Sequence, residues 1–223
     1  MAQKTLISWS SGKDSAWLVH TIRTTMPEHE ICALLTTINQ DADRVAMHAV
    51  RTEVLHAQAR SLRLPVWTVP IPSPCPNDVY ERAMAAAVAR AVAEGFTAVA
   101  FGDLFLEDVR RYREEKLAGT GLTPIFPLFG SDTTSLAETM VASGLRARIT
   151  CLNPKHLDRS FAGREFDAQL LADLPHGVDR CAERGEFHTC AYAGPMFAEP
   201  IPIETGSVVE RDGFVFTDLK LRI

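Results

Sequence analysis

No stretch of this 223-residue chain is apolar for long enough to cross a bilayer. The opening residues, Met-Ala-Gln-Lys, run straight into an apolar segment without the layout of an export signal. The expectation is a cytoplasmic protein with no membrane partner. Paired cysteines are missing too. There are five, Cys32, Cys75, Cys151, Cys181 and Cys190, and none stands in a Cys-x-x-Cys motif. That excludes a disulfide framework and fits a reducing compartment, and no Cys/His spacing suits zinc. Excess positive charge is absent: the formal net charge is -5, which argues against a broad nucleic-acid surface. No Gly-x-Gly-x-x-Gly follows a strand. The Gly12-Lys13 pair is not a Walker A loop, because Ile7 and Asp14 stand where that motif needs Gly and Ser or Thr. Repeats and low-complexity segments are lacking as well.

What is present is enough apolar residue, 46%, to build a core unaided. Short apolar runs predict strands over 5–9, 31–38, 66–71 and 98–101. Helical spacing predicts helices over 14–26, 47–62, 79–94 and 106–117. This alternation implies an α/β fold, a parallel sheet with helices on both faces, whose ligands bind beyond the carboxyl ends of the strands. The pattern then changes. A helix over 133–143, a strand over 145–152 and a hairpin about Asp212-Gly213 predict a smaller α+β portion. We divide the chain at residues 1–130 and 131–223.

One turn carries the chemistry. Ser10-Ser11-Gly12-Lys13-Asp14-Ser15 follows the first strand and opens a helix. Amides at a helix N-terminus, hydroxyls of Ser10, Ser11 and Ser15, and the Lys13 ammonium make an anion site. Gly12 lets a phosphate approach the backbone. Asp14 would repel bare phosphate, so its natural partner is Mg²⁺ on phosphate oxygens. The plainer alternative is a helix N-cap.

The hexapeptide resembles the Ser-Gly-Gly-x-Asp-Ser loop of the ATP pyrophosphatase superfamily. Two longer segments resemble the diphthine–ammonia ligase family: Phe101-Gly102-Asp103-Leu104-Phe105-Leu106-Glu107-Asp108-Val109-Arg110-Arg111-Tyr112-Arg113, and Gly185-Glu186-Phe187-His188-Thr189. Pro127-Leu128-Phe129 is a third, shorter match. The resemblance implies a Rossmann-like HUP sheet and an ATP-dependent, AMP- and pyrophosphate-forming ligase. Such an enzyme adenylates a carboxylate and passes the acyl group to ammonia. ATP and Mg²⁺ would be its cofactors, a carboxylate and ammonia its substrates, and a homodimer is compatible with it. No glutaminase segment is visible, so free ammonia or a separate donor is expected. Three departures stand out: Ser11 replaces a Gly, Ala182 and Arg184 flank Glu183 in place of Gly and Asn, and Ala193 replaces an Asp.

The resemblance implies roles residue by residue. Ser8, Trp9, the turn 10–15, Thr36, Gly102 and Asp103 would bind nucleotide, with Asp14 and Asp103 at the metal. On composition alone, Trp9 and Trp17 read as core and Asp103 as a turn residue. Arg44, His48, Glu107, Arg110, Arg111 and Arg113 would meet substrate, against the alternative of a solvated helix face with Glu107 paired to Arg110 and Arg111. Lys13, Glu183, Glu186 and His188 would be catalytic, since a carboxylate can hold ammonium and take its proton. Cys181 reads as buried filler. Two other functions fit the same turn: a tRNA-modifying sulfur or nitrogen transferase, and a nucleotide-binding regulator without turnover.

Overall fold

The structure is a computed structural model that describes residues 2–222. Its first sheet is built from β1 (Gln3–Ser8), β2 (His29–Asn39), β3 (Arg44–Val45), β4 (Val66–Ile71), β5 (Ala98–Ala100) and β6 (Thr123–Ile125). Five of these strands are parallel, in the order β4-β2-β1-β5-β6, while β3 pairs antiparallel with the end of β2. Strand order therefore reverses direction between β1 and β5, and a Rossmann-like sheet opens its crevice at that point. Residues 9–12 leave β1 there and residues 101–104 leave β5.

Side chains alternate across the sheet. Ile7 and Leu34 point into one buried cluster, with Leu18 of α1 (Lys13–Thr25) and Val54 of α2 (Thr52–Leu62). Leu6, Ala33 and Leu35 point into the other, under Ala87 and Ala91 of α3 (Asn77–Ala93). Apolar residues on both sides of a strand are what a doubly covered parallel sheet requires. After β5 comes α4 (Glu107–Leu117) and, after β6, α5 (Thr133–Ala142).

The second sheet is antiparallel, in the order β8-β7-β10-β9, from β7 (Arg146–Leu152), β8 (Phe187–Ala193), β9 (Ile203–Arg211) and β10 (Phe214–Leu221). A short helix, α6 (Ala168–Asp173), precedes β8. Asp212 and Gly213 both have positive φ, 53° and 78°, the pair of values that a two-residue hairpin turn needs. The cluster holding Ile7 and Leu18 continues through Met140 to Phe187 and Leu219, so the two sheets share it. Among the described residues no helix is long and apolar enough to cross a membrane.

Two expectations need correction. The helix predicted from residue 47 begins at Thr52. Met47 and Ala49 lie in a turn at φ 62° and 54°, and Met47 is 67% exposed, so its apolar side chain belongs to no helix face. The predicted pairing of Glu107 with Arg110 and Arg111 does not form. Arg110 lies over the rings of Phe126 and Phe129, at 5.0 and 4.7 Å, which turns its guanidinium to Glu114 at 2.9 Å.

Candidate active site

The turn after β1 is held in place from several elements. Thr36 Oγ1 donates to the carbonyl of Trp9 at 2.9 Å, and Ser10 Oγ and Ser15 Oγ lie 3.2 Å apart. Ser15 Oγ donates to the carbonyl of Gly12 at 3.0 Å. Gly12 is the N-cap of α1 and supplies no side-chain cap; the Ser10 hydroxyl accepts from the Gly12 amide at 3.3 Å instead. A Cβ on Gly12 would come within 2.7 Å of the His48 ring, and one on Gly102 within 3.3 Å of the Asp14 backbone. These close approaches bring the ends of β1 and β5 and the residue 44–51 segment together.

Residues from the far end of the chain close over the turn. The Lys13 amide donates to Thr189 Oγ1 at 3.1 Å, across 176 positions of sequence. The Ala191 amide donates to the Ser11 carbonyl at 2.9 Å. Lys13 Nζ donates to Asp14 Oδ2 at 2.9 Å and to the Cys181 carbonyl. The rings of Phe166 and Phe187 flank that ammonium at 5.6 and 5.7 Å. Burial alone would drive Lys13 toward neutrality, but the charge of Asp14 and its neighbours outweighs it and holds the pKa above the ordinary lysine value.

The site is short of positive charge. Burial raises the pKa of Asp14 in spite of Lys13, and its Oδ1 is buried without a hydrogen-bond partner among the described residues. Glu183 is pushed up to about 7, first by burial and then by repulsion from Asp14 and Asp103, although it accepts a bond from the Leu104 amide at 2.7 Å. Among the described residues no three His, Cys, Asp or Glu side chains converge as a metal cage. Mg²⁺ needs no such cage: it keeps its waters and binds one or two carboxylates together with phosphates. The unpartnered Asp14 oxygen beside a buried lysine fits that mode.

The other expected residues fall into three groups. His48, on the turn before α2, and His188, on β8, lie with ring centroids 4.7 Å apart and planes tilted by 49°, His48 against Gly12. Burial lowers the pKa of His48 to about 4 and of His188 to about 3, so both rings are neutral near pH 7. Asp103, Glu186 and Arg44 are engaged by the protein itself. Asp103 takes both donors of Arg113, at 2.6 and 3.0 Å. Glu186 accepts the amides of Asp179 and Arg184, both at 3.0 Å, and thereby shapes the 179–186 loop. Arg44 bonds Asp218 of β10 at 2.9 Å. Trp9 is 2% exposed and in the core, Ser8 ends β1, and Glu107 and Arg111 lie exposed on α4. A groove of about 480 Å³ along His56, Arg60, Arg63 and Pro65 shares no residue with this crevice.

Sequence reading missed Gln58. It is fully buried, its Nε2 donates to the carbonyls of Ser11 and Ala191 at 3.0 and 2.6 Å, and its Oε1 accepts from Trp9 Nε1. The signal was available: Gln58 interrupts the apolar stripe Val54, Leu55, Ala59, Leu62 on α2. Thr189 was noticed only as part of its motif.

Ser11 gives a first prediction. Its φ is 69°, a left-handed value that costs a non-glycine residue about 1–2 kcal/mol, and its buried Oγ has no hydrogen-bond partner among the described residues. Ser11→Gly removes both penalties and regains part of the cost as unfolded-chain entropy. We expect a net gain of about 1 kcal/mol, a rise in Tm of roughly 2–4 °C. A thermal melt at or below that of the parent would contradict this reading of the turn.

Residues 132–218 match the family model of the diphthamide synthase C-terminal domain. A diphthine–ammonia ligase from Danio rerio is 34% identical to the chain over 115 residues, which cover 48% of this chain and 45% of that relative. The match thus spans less than half the relative's length. The turn 10–15 and the 185–189 motif, which the fold brings into one crevice, accord with these similarities to the diphthamide synthase C-terminal domain and to a diphthine–ammonia ligase.

Proposed function

We propose that the protein is an ATP-dependent amidoligase that forms AMP and pyrophosphate. The observation that carries this is the bond from the Lys13 amide to Thr189 Oγ1. It sets the anion-binding turn directly against the segment that resembles the family's acceptor motif, so one substrate can meet both. The name of the Danio rerio relative supports ammonia as the second substrate. The division at residues 130/131 is part of the proposal: the first portion holds ATP and the second presents the acceptor.

ATP enters as the Cys181 carbonyl gives up Lys13 Nζ. The turn amides not already bonded within the protein, the serine hydroxyls of residues 10–15 and the Lys13 ammonium then hold the β and γ phosphates. Asp14 is the residue that would hold Mg²⁺, with Asp103, braced by Arg113, beside it; the ion would neutralise phosphate charge. A carboxylate oxygen of the acceptor attacks the α-phosphorus, the α–β bridging bond breaks, and pyrophosphate leaves against Lys13. Stabilising that departing charge is the main catalytic task. Glu183 captures ammonium and takes one proton from it. The ammonia nitrogen attacks the acyl carbon, and AMP departs. Glu186 positions Glu183 by fixing the loop that bears it.

Incubating the protein with ATP, Mg²⁺, ammonium chloride and a panel of carboxylic acids should release pyrophosphate and AMP with at least one acid. Release of ADP and phosphate alone would refute the mechanism.

Glu183 makes the rate pH-dependent. With its pKa near 7, amide formation should rise as pH passes upward through 7 and the carboxylate ionises. Glu183→Gln should lower amidation about 100-fold while leaving acid-dependent ATP–pyrophosphate exchange intact. Stability has the opposite sign. A carboxyl whose folded pKa lies above its unfolded value of 4.5 binds more protons when folded, so it weakens the fold progressively as pH rises from there to about 7. Glu183→Gln should therefore melt above the parent in mild alkali and alongside it in acid. A profile flat across neutral pH would remove Glu183 from the proton transfer.

A further inference from the structure

The imidazoles of His48 and His188 are not explained by the scheme above, and their geometry is specific. His48 Nδ1 lies 3.0 Å from the Thr189 carbonyl oxygen. A carbonyl can only accept, so Nδ1 carries the hydrogen and Nε2 carries the lone pair. The ring lies so close to Gly12 that a methyl group there would clash with it, and the His188 ring sits beside it, tilted by 49° with centroids 4.7 Å apart. Thr189, which fixes the tautomer, also receives the Lys13 amide. The imidazole pair is thus locked to the anion-binding turn by the strand that carries the acceptor motif. Lys13 is close enough to both rings to oppose their protonation. Two neutral rings beside a buried ammonium are poor partners for an anion or a second cation. They are good partners for an N–H group.

We propose that His48, backed by His188, is the binding site for the amine nucleophile and the acceptor of its second proton. This rests on the amidoligase reading. Ammonium loses its first proton to Glu183. As the nitrogen lone pair forms the C–N bond and the bond to AMP breaks, the nitrogen becomes positively charged and passes one further proton to His48 Nε2, which returns it to water. The sum is an acyl adenylate and ammonium giving amide, AMP and two protons.

The test uses His48→Asn, whose amide still donates to the Thr189 carbonyl but lacks Nε2. Acid-dependent ATP–pyrophosphate exchange should stay within about 2-fold of the parent, while amide formation falls about 100-fold, the scale of lost general-base catalysis. Raising the pH to enlarge the free-ammonia fraction should rescue Glu183→Gln but not His48→Asn. Hydroxylamine, a stronger nucleophile whose adduct sheds its proton to water, should restore product with both. Exchange and amidation falling together, or neither falling, would overturn the assignment. A second readout needs no acid substrate. In ¹⁵N spectra of the intact protein, His48 should show a protonated Nδ1 and a lone-pair Nε2, and ammonium chloride should shift the Nε2 signal. A protonated Nε2, or one indifferent to ammonium, would overturn the proposal even if pyrophosphate is released. If exchange is absent from the parent with every acid while the Nε2 shift is seen, it is the amidoligase reading that fails.

Discussion

Replacing Lys13 should reduce pyrophosphate release by at least about 100- to 1,000-fold, the loss expected when one preorganised donor to a developing anion is removed. The structure gives two reasons to expect so large an effect. Lys13 is 2% exposed, so its charge acts where water cannot screen it. The residue is also the first of α1, so the helix directs its amide and its ammonium to the same crevice. Neighbouring cations do not substitute: Arg113 is committed to Asp103 and Arg44 to Asp218.

The obvious variant has a complication that physics also predicts. Lys13→Ala leaves the Asp14 carboxylate, 25% exposed, without its partner, and breaking a buried pair from one side typically costs about 3–5 kcal/mol. Activity could then vanish because the turn unfolds. Lys13→Met keeps the aliphatic stem packed between Phe166 and Phe187 and removes only the charge. Combined with Asp14→Asn it leaves no unpaired ion, and the double variant should melt within about 1 kcal/mol of the parent. ATP–pyrophosphate exchange should be lost in both. Lys13→Met alone leaves the same unpaired Asp14 as Lys13→Ala, so the double variant separates folding from catalysis; if either variant retains its fold and still releases pyrophosphate at the parent's yield, residues 10–15 are not the catalytic cradle.

The parts of this fold that could be read from sequence are those decided locally. β4 spans 66–71 as its short apolar run predicts, and the parallel core follows from continuous apolar runs such as residues 31–35. β6 escaped notice because Thr123-Pro124-Ile125 is three residues long and contains a proline. Its place at the sheet edge explains why the missing amide is tolerated. The candidate site divides the same way. The turn 10–15 announces itself, since its chemistry and its geometry come from one hexapeptide. Its covering does not. Thr189 lies 176 positions away, and nothing in either segment alone says that the amide of one meets the hydroxyl of the other. The partners of Asp103 and Glu186 were similarly beyond local reading, because Arg113 reaches back from α4 and the amides of Asp179 and Arg184 are set by how the 179–186 loop folds.

The same non-local logic makes Asp218 the second residue whose loss should be conspicuous. Arg51 grips both of its carboxylate oxygens at 2.8 and 2.7 Å, and Arg44 adds a third bond at 2.9 Å. These contacts tie β10 to the segment that carries His48. Asp218→Ala leaves two guanidinium groups, 25% and 35% exposed, facing each other. Their partial access to water softens the penalty below that of a fully buried pair, to about 2–3 kcal/mol, or roughly 5–10 °C in Tm. The pH dependence identifies the cause. The bonds from Arg51 hold the Asp218 carboxyl below its ordinary value of 3.8, so its contribution is complete above that pH and is lost as pH falls through the lower folded value. The melting difference between parent and Asp218→Ala should accordingly be largest at neutral pH and shrink in strong acid. A difference that is constant across that range would mean that packing of the hairpin, and not charge, holds β10 to the segment that carries His48.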